Sequence, residues 1–515
     1  MKRIKIILCL VSCAMCLKAQ IYLSPYEPVY EDLRYLQTGG LLSLVDLNQI
    51  PVLQGQLVEA IGADLGLGSY SLTQRGLINR IRTSYAIGDT VQSGGLLNRL
   101  LERILINRVK EPQFYLGMRT NLTAVSDPGK LYPELKTFGA VVLPYGISVV
   151  NIMAIDPYAA DPSESRAGKP DYIGHKWRGL SGYTEQAYFL WLTKYSRLTL
   201  GRSYVITGPG RNSHLMFSGA ARPLDQIRLE FFNKRFSFQT LMAQLDPMAG
   251  ANRYLASHRL TLFLKRWQVS LTETILYGGI GQGIEWTYLN PFLFYHGEQM
   301  NGPGLDGNTL GSLELTYTGN RWTAYTEILI DDIQLDKAAP GDLEPNEIGV
   351  VTGFDLADPF NVEGLYMCVE YTALTNRTYK TASPYEFYLH RNVPLGYPLG
   401  SDLDRWELIV KKYLRNWQAI IRFDYLRRGS GEMNVPWDMP WMNYTLEEGY
   451  TEPFPTGIVE KTADLGLEIR WLPSYNRYAF LQINLQSIQN VAHTRDNEHN
   501  VIVTLGLHWN FKFDI

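Results

Sequence analysis

The stretch VIVTLGLHWNFKFDI, residues 501–515, alternates without a break: Val501, Val503, Leu505, Leu507, Trp509, Phe511, Phe513 and Ile515 are apolar, separated by Ile502, Thr504, Gly506, His508, Asn510, Lys512 and Asp514. Successive side chains of a strand point to opposite faces, so this pattern predicts one apolar face along the whole segment. Strands of soluble sandwiches usually run about five or six residues. A longer strand that ends on the last residue of the chain fits the closing strand of a transmembrane barrel.

The same period of two extends back to Gln113. Leu465, Leu467, Ile469 and Trp471 alternate with Asp464, Gly466, Glu468 and Arg470; Leu260, Leu262 and Leu264 with Arg259, Thr261 and Lys265; Leu481, Ile483 and Leu485 with Gln482, Asn484 and Gln486. Charges opposite an apolar face suit a wet lumen inside a lipid-facing wall. Turn signals fall near residues 144–146, 194–196, 233–234, 265–266, 319–320, 358–363, 415–416 and 473–476. Longer polar connections lie between them, near 126–135, 156–181, 207–223, 246–253, 279–308, 336–345, 376–402, 430–459 and 490–499. Eight short and nine long connections give about 18 antiparallel strands in an all-β transmembrane barrel, residues 111–515. The even count places both termini on the short-turn side, the periplasm. A ring of this size leaves an aqueous lumen unless something fills it.

The filler is expected upstream. Residues 1–19 read as a signal peptide: Lys2, Arg3 and Lys5, an apolar run from Ile6 to Leu17, then Ala19 before Gln20. Leu10-Val11-Ser12-Cys13 also looks like a lipoprotein cleavage box, with a short apolar stretch before it. Residues 20–110 read as a small α-helical periplasmic or plug domain. Val29, Leu33 and Leu36 precede Gly39-Gly40, Pro51 opens a segment with Leu53, Leu57 and Ile61 on one side, and Leu97, Leu100, Leu101, Ile104 and Leu105 form another helical stripe.

Composition narrows the function classes. The net charge of −3 provides no field for nucleic acid, which is not expected as a partner. Aromatic residues are 12% of the chain and tyrosines number 33, which suggests tyrosine girdles at the lipid boundary. Cys9, Cys13 and Cys16 fall in the signal segment, leaving Cys368 without an internal disulfide partner. The eight histidines show no close metal-ligand spacing, and neither a nucleophile elbow nor a phosphate-binding loop occurs. No metal, cofactor or catalytic residue is therefore expected, although a histidine–acid pair assembled from separate loops escapes such motifs. Outer-membrane lipid and the barrel-assembly machinery are the partners expected of any such barrel.

Two loop clusters are candidates for binding. In residues 430–459, Trp437, Trp441, Tyr444 and Tyr450 stand among Asp438, Glu447, Glu448 and Glu452. Sugar rings stack their apolar C–H faces on aromatic rings and hydrogen-bond to carboxylates, amides and guanidinium groups, so Trp437, Trp441, Tyr444 and Asp438 are glycan-binding candidates. The alternative is that these rings fill the barrel mouth. In the second cluster, Gly201-Arg202, Gly208-Pro209-Gly210-Arg211, Ser218, Arg222 and Pro223, the glycines permit a tight fold across the lumen. Arg202, Arg211 and Arg222 either clamp an anionic sugar or pair with lumen carboxylates.

Three segments resemble the Wzi-like capsule-assembly outer-membrane proteins. Residues 201–227, GRSYVITGPGRNSHLMFSGAARPLDQI, are similar to that family's G-R, G-P-G, L-x-x-S and A-x-P-x-D run, here Gly201, Gly208, Pro209, Gly210, Ser218 and Pro223. Residues 258–299 look like its H-R, Glu, Tyr and N-P segment, here His258, Arg259, Glu273, Tyr277, Asn290 and Pro291. The helical start, YEDLRYLQTGGLL followed by Pro51 and QLVEAI, also resembles the family's. The resemblance implies an eighteen-stranded barrel occluded by helices and a lectin-like role in holding capsular polysaccharide at the surface; a transport barrel is the alternative. Glu273 shares parity with apolar Trp267, Val269 and Leu271, so a bulge or an inward turn is expected there.

Overall fold

The computed structural model describes residues 20–43, 45–64, 70–85, 111–157, 178, 181–301, 307–334, 338–435 and 438–514. Residues 1–19, the stripe from Leu97 to Leu105, and Trp437 lie outside the described residues.

Three helices come first: α1 (Val29–Thr38), α2 (Gln54–Asp64) and α3 (Leu72–Ser84). Ser71 caps α3, accepting the Gln74 N–H at 3.2 Å while the Gln74 side chain accepts the Ser71 N–H at 3.1 Å. The wall follows as β1 (Gln113–Val125), β2 (Lys130–Leu143), β3 (Ile147–Asp156), β4 (Ser181–Leu192), β5 (Ser196–Ser203) and β6 (Leu224–Phe232). Next come β7 (Phe236–Gln244), β8 (Asn252–Leu264), β9 (Trp267–Gly279), β10 (Asn308–Thr318), β11 (Trp322–Asp332) and β12 (Glu347–Ala357). The last are β13 (Leu365–Leu374), β14 (Leu403–Leu414), β15 (Trp417–Arg428), β16 (Glu460–Ser474), β17 (Arg477–Gln489) and β18 (Asn497–Asp514). Each pairs antiparallel with its neighbours, and β1 also pairs with β18, so the 18-stranded ring closes. Closure leaves no edge strand, the condition for a sheet to sit in lipid.

The alternation sorts the two faces. Leu505, Leu507, Trp509 and Phe511 on β18 and Leu465, Leu467, Ile469 and Trp471 on β16 are exposed on the outside, while His508, Glu468 and Arg470 are buried within. Trp191, Trp267, Trp322, Trp417, Trp471 and Trp509 all stand on the outer face near the short-turn ends of their strands. That ring marks one lipid–water boundary. Tryptophan predominates in it, with Tyr317 packed against both Trp267 and Trp322 at 4.8 and 5.1 Å between centroids. Tyr35, Tyr277, Tyr288, Tyr295, Tyr379, Tyr388 and Tyr397 are instead fully buried, because a hydroxyl able to find a partner lets tyrosine pack where wall, helices and loops meet.

One connection differs from expectation: residues 126–129 are a four-residue turn, and β1 and β2 stay paired up to Val125 opposite Lys130. Asp127, Pro128, Lys130 and Pro133 read as a polar loop in sequence. In fact Leu131 and Pro133 are exposed on the outer face, while Lys136 pairs inside with Glu185 at 2.8 Å.

The lumen is filled from two sides. Asp32 on α1, wholly buried, meets Arg80 of α3 at 3.1 Å, the Gln418 amide of β15 at 3.0 Å and the Tyr475 hydroxyl at 2.6 Å. Tyr35 donates to Asp358 at 2.7 Å, and Asn48 donates to Thr316 on β10 at 2.9 Å. From the long-loop side, residues 204–223 and 375–402 fold inward. Ile206–Thr207 pairs antiparallel with Gln49–Ile50, and the Gly208 N–H reaches Asn48 O at 3.0 Å, so loop and helical segment touch. Leu215, Met216, Phe217, Tyr379, Tyr388 and Tyr397 then form an apolar core inside the barrel. Wall charges are paired, as Arg259–Glu314 at 2.8 Å and Arg197–Glu230 at 3.1 Å illustrate.

Candidate functional site

The G-P-G run lies within the inward loop. Gly208 has φ +123°, and a Cβ there would stand 2.6 Å from Glu327 Oε2; one on Gly210 would collide with the Ser213 carbonyl. This tight path delivers Arg211 to the lumen wall, where Nε donates to Asp355 at 2.8 Å, Nη1 to Pro209 O at 2.6 Å, and the guanidinium covers the Tyr325 ring at 4.2 Å. Ser218 donates its N–H to Leu395 O at 2.9 Å, tying the two inward loops, and Pro223 is buried at the exit into β6. Gly201 and Arg202 end β5, where Arg202 takes Asp225 at 2.6 and 2.9 Å on the outer side of the wall. Arg202 and Arg211 are therefore not brought together, and each is engaged by a carboxylate.

The 430–459 loop builds a site at the long-loop rim. Trp441 is only 3% exposed; Arg377 lies over its ring at 4.7 Å and bonds to Asp438 O at 3.0 Å and Glu452 at 2.8 Å. This indole supports the loop from beneath. Tyr444 is 43% exposed and contacts Tyr450 at 5.3 Å between centroids, and the Asp438 side chain projects into solvent. Beside them opens a cavity of about 240 Å³ lined by Glu344, Asn346, Asn376, Tyr450, Glu452 and Phe454, among others. It is smaller than the ~300–1,000 Å³ typical of drug-sized clefts. Burial, reinforced by the Asp332 carboxylate, pushes the Glu344 carboxyl up to about 7, against the opposing pull of Arg377. Sequence reading missed Glu344, Asn346 and Asn376 because they come from two other loops.

The H-R, Glu, Tyr and N-P residues turn out to be mostly a clasp. Arg259 points inward to Glu314, but His258 and Glu273 are direct cross-strand partners on the outer face, with Nε2 3.0 Å from Oε2. Neither a bulge nor an inward turn occurs at Glu273: residues 280–301 fold down the outside and cover it. Glu273 accepts the N–H groups of Tyr295 and His296 at 3.1 and 3.0 Å, and the Tyr295 ring packs on His258 at 4.6 Å. The Tyr277 hydroxyl accepts the Glu285 N–H at 3.2 Å, and the Asn290 side chain accepts the Phe292 N–H at 3.2 Å, shaping the turn through half-buried Pro291.

A second cavity, about 510 Å³, lies in the lumen between α1 and the wall, lined by Arg34, Arg211, His214, Lys411, Arg422 and Arg470 among others. No group of three or more His, Cys, Asp or Glu residues suited to a metal occurs among the described residues.

An apolar, tryptophan-ringed wall closed around inward-folded helices and loops defines an outer-membrane β-barrel. Residues 158–501 match the capsule assembly protein Wzi family, and the chain belongs to that family. Its fold is similar to that of Wzi from Escherichia coli, described as an outer-membrane protein involved in group 1 capsule assembly and a carbohydrate-binding β-barrel: TM-score 0.61, 12% identity, 95% of this chain and 99% of that one covered. OprD of Pseudomonas aeruginosa (TM-score 0.44, 7% identity, 80% and 97% covered) and OccAB3 of Acinetobacter baumannii (0.45, 8%, 79% and 100%) are more distant barrels. No curated protein sequence matches the chain.

Proposed function

We propose that the protein is a non-enzymatic, lectin-like barrel that holds exported capsular polysaccharide at the cell surface. Both termini lie in the periplasm, the long loops face outward, and the barrel reaches its membrane through the barrel-assembly machinery. Family membership supports the general role. The observation that carries the binding role is the rim cavity, where Tyr450 and Phe454 stand among Glu344, Glu452, Asn346 and Asn376. Aromatic faces beside acceptors and amides match the mixed apolar and hydroxyl surface of a sugar. Exposed Tyr444 extends the platform, and Trp441 with Arg377 keeps it rigid. The filled lumen argues against the transport alternative, since helices and inward loops occupy the bore a solute would use.

The test compares cell-bound with shed capsular polymer in a deletion strain at equal total synthesis. Increased shedding, restored by the intact chain and not by one trimmed at residues 438–454, is expected. Unchanged retention with altered solute uptake overturns the reading in favour of transport.

A further inference from the structure

Residues 280–301 form a flap on the outer wall of β7 to β10, on the side of the long loops. Beneath it, outward residues of β8 and β9 that would otherwise meet lipid are covered: Tyr254, Ala256, Ile275 and Tyr277 pack with Met242, Tyr288 and Tyr295. Four residues further down the same strands, past His258 and Glu273, Leu260 and Leu271 are exposed again, as is Leu262. Four residues of strand advance about 13 Å, so the flap, clasped at His258 and Glu273, ends where the exposed apolar band continues.

The flap presents an apolar outer surface in turn. Ile280, Trp286 and Phe292 are 87%, 78% and 85% exposed, and Ile284 and Phe294 are exposed as well. Phe292 stacks on Phe238, an outward residue of β7, at 5.7 Å and 6°, so the exposed rings continue the wall's lipid-facing side. On a water-facing loop such a patch would be a liability. At the margin of a bilayer, a tryptophan with flanking phenylalanines is the usual anchor.

We propose that this flap is embedded in the outer leaflet, its Trp286, Phe292 and Phe294 contacting acyl chains. The His258–Glu273 pair is the clasp that holds it. Glu273 points toward lipid by its strand parity, and the flap's backbone N–H groups, His258 and Tyr295 enclose it. The Glu273 carboxylate is thereby kept out of hydrocarbon while the loop is fixed at a set depth. His296 and Gln299 complete the seat, each within hydrogen-bond distance of Thr309 on β10, at 3.3 and 2.6 Å. The inference is independent of the glycan reading and needs only a membrane-spanning barrel.

The experiment uses the chain from Gln20 onward, without Cys9, Cys13 and Cys16, in phosphatidylcholine vesicles, with a fluorophore on a single introduced cysteine; buried Cys368 serves as the unlabelled background. Probes at Trp286→Cys and Phe292→Cys are expected to be quenched by doxyl-labelled lipid as strongly as a probe at Leu271→Cys, and to be shielded from iodide. A probe at Leu446→Cys in the rim loop behaves oppositely. Glu273→Ala, by opening the clasp, increases iodide access at position 292. Iodide quenching of both flap probes in the intact chain, with no lipid quenching, overturns the proposal. Protection from both quenchers together with cross-linking between copies also overturns it, in favour of a protein-covered face.

Discussion

Replacing Asp32 by alanine should undock the helices without opening the barrel. Asp32 and Arg80 are both buried, at 0% and 4% side-chain exposure, and two further donors from the wall, Gln418 and Tyr475, end on the same carboxylate. Removing one partner of a buried pair costs about 3–5 kcal/mol, because the other charge stays buried and uncompensated. At about 1.4 kcal/mol per decade, the docked-to-undocked ratio of the helical segment falls roughly a hundred- to several-thousand-fold. Hydrogen exchange followed by mass spectrometry on the intact chain reads this directly. Amides of α1 and α3 should exchange faster by about that factor, while those of β14 to β16 stay protected by their own ladder. The double variant Asp32→Leu, Arg80→Met should recover much of the loss, since replacing both charges removes the orphan. Unchanged exchange in α1 would refute the reasoning. So would equal acceleration of helices and wall, which would mean that they open as one unit.

The rim titrates near neutrality. Because the folded-state pKa of Glu344 is raised from 4.5 to about 7, stability contributed there is fully present below about pH 4.5 and is lost as pH rises through 7. Protease sensitivity of the 333–346 loop should therefore increase with a midpoint near 7, and Glu344→Gln should flatten the profile. Trp441→Ala removes a buried ring and should destabilise the rim loop by about 3–5 kcal/mol, seen as proteolysis between residues 438 and 454. Tyr444→Ala, at an exposed ring, should leave proteolysis unchanged and weaken only glycan binding. Gly208→Ala forces a side chain into a left-handed backbone at a cost of about 1–3 kcal/mol and should loosen the inward loop. Greater susceptibility of the intact barrel to cleavage within residues 204–223 is the expected readout.

The wall was legible because its signal is local. A period of two along residues 501–514 needs no partner to be read, and it correctly assigned Leu505, Leu507 and Trp509 to the lipid side. The same locality misled at residues 126–135, where prolines and charges imitate a loop although they continue a hairpin. Site residues depend on contacts far apart in sequence. Arg211 meets Asp355, Arg377 meets Trp441 and Glu452, and the rim cavity draws on three separate loops. Glu273 broke the alternation visibly in sequence, but the cause was invisible: hydrogen-bond donors to its carboxylate are supplied by residues that return from the loop about twenty positions later. Aromatic residues beside carboxylates pointed to a loop that helps line the rim cavity, yet could not tell the buried support Trp441 from the exposed Tyr444.

Binding of purified barrel to the capsular polysaccharide of its own host, measured for the intact chain and for Tyr444→Ala, Glu344→Gln, is the most direct test of the glycan reading. Saturable binding that weakens about tenfold or more in the double variant, with an unchanged melting temperature, is the result predicted. No saturable binding by the intact chain, or equal binding by both, would contradict it.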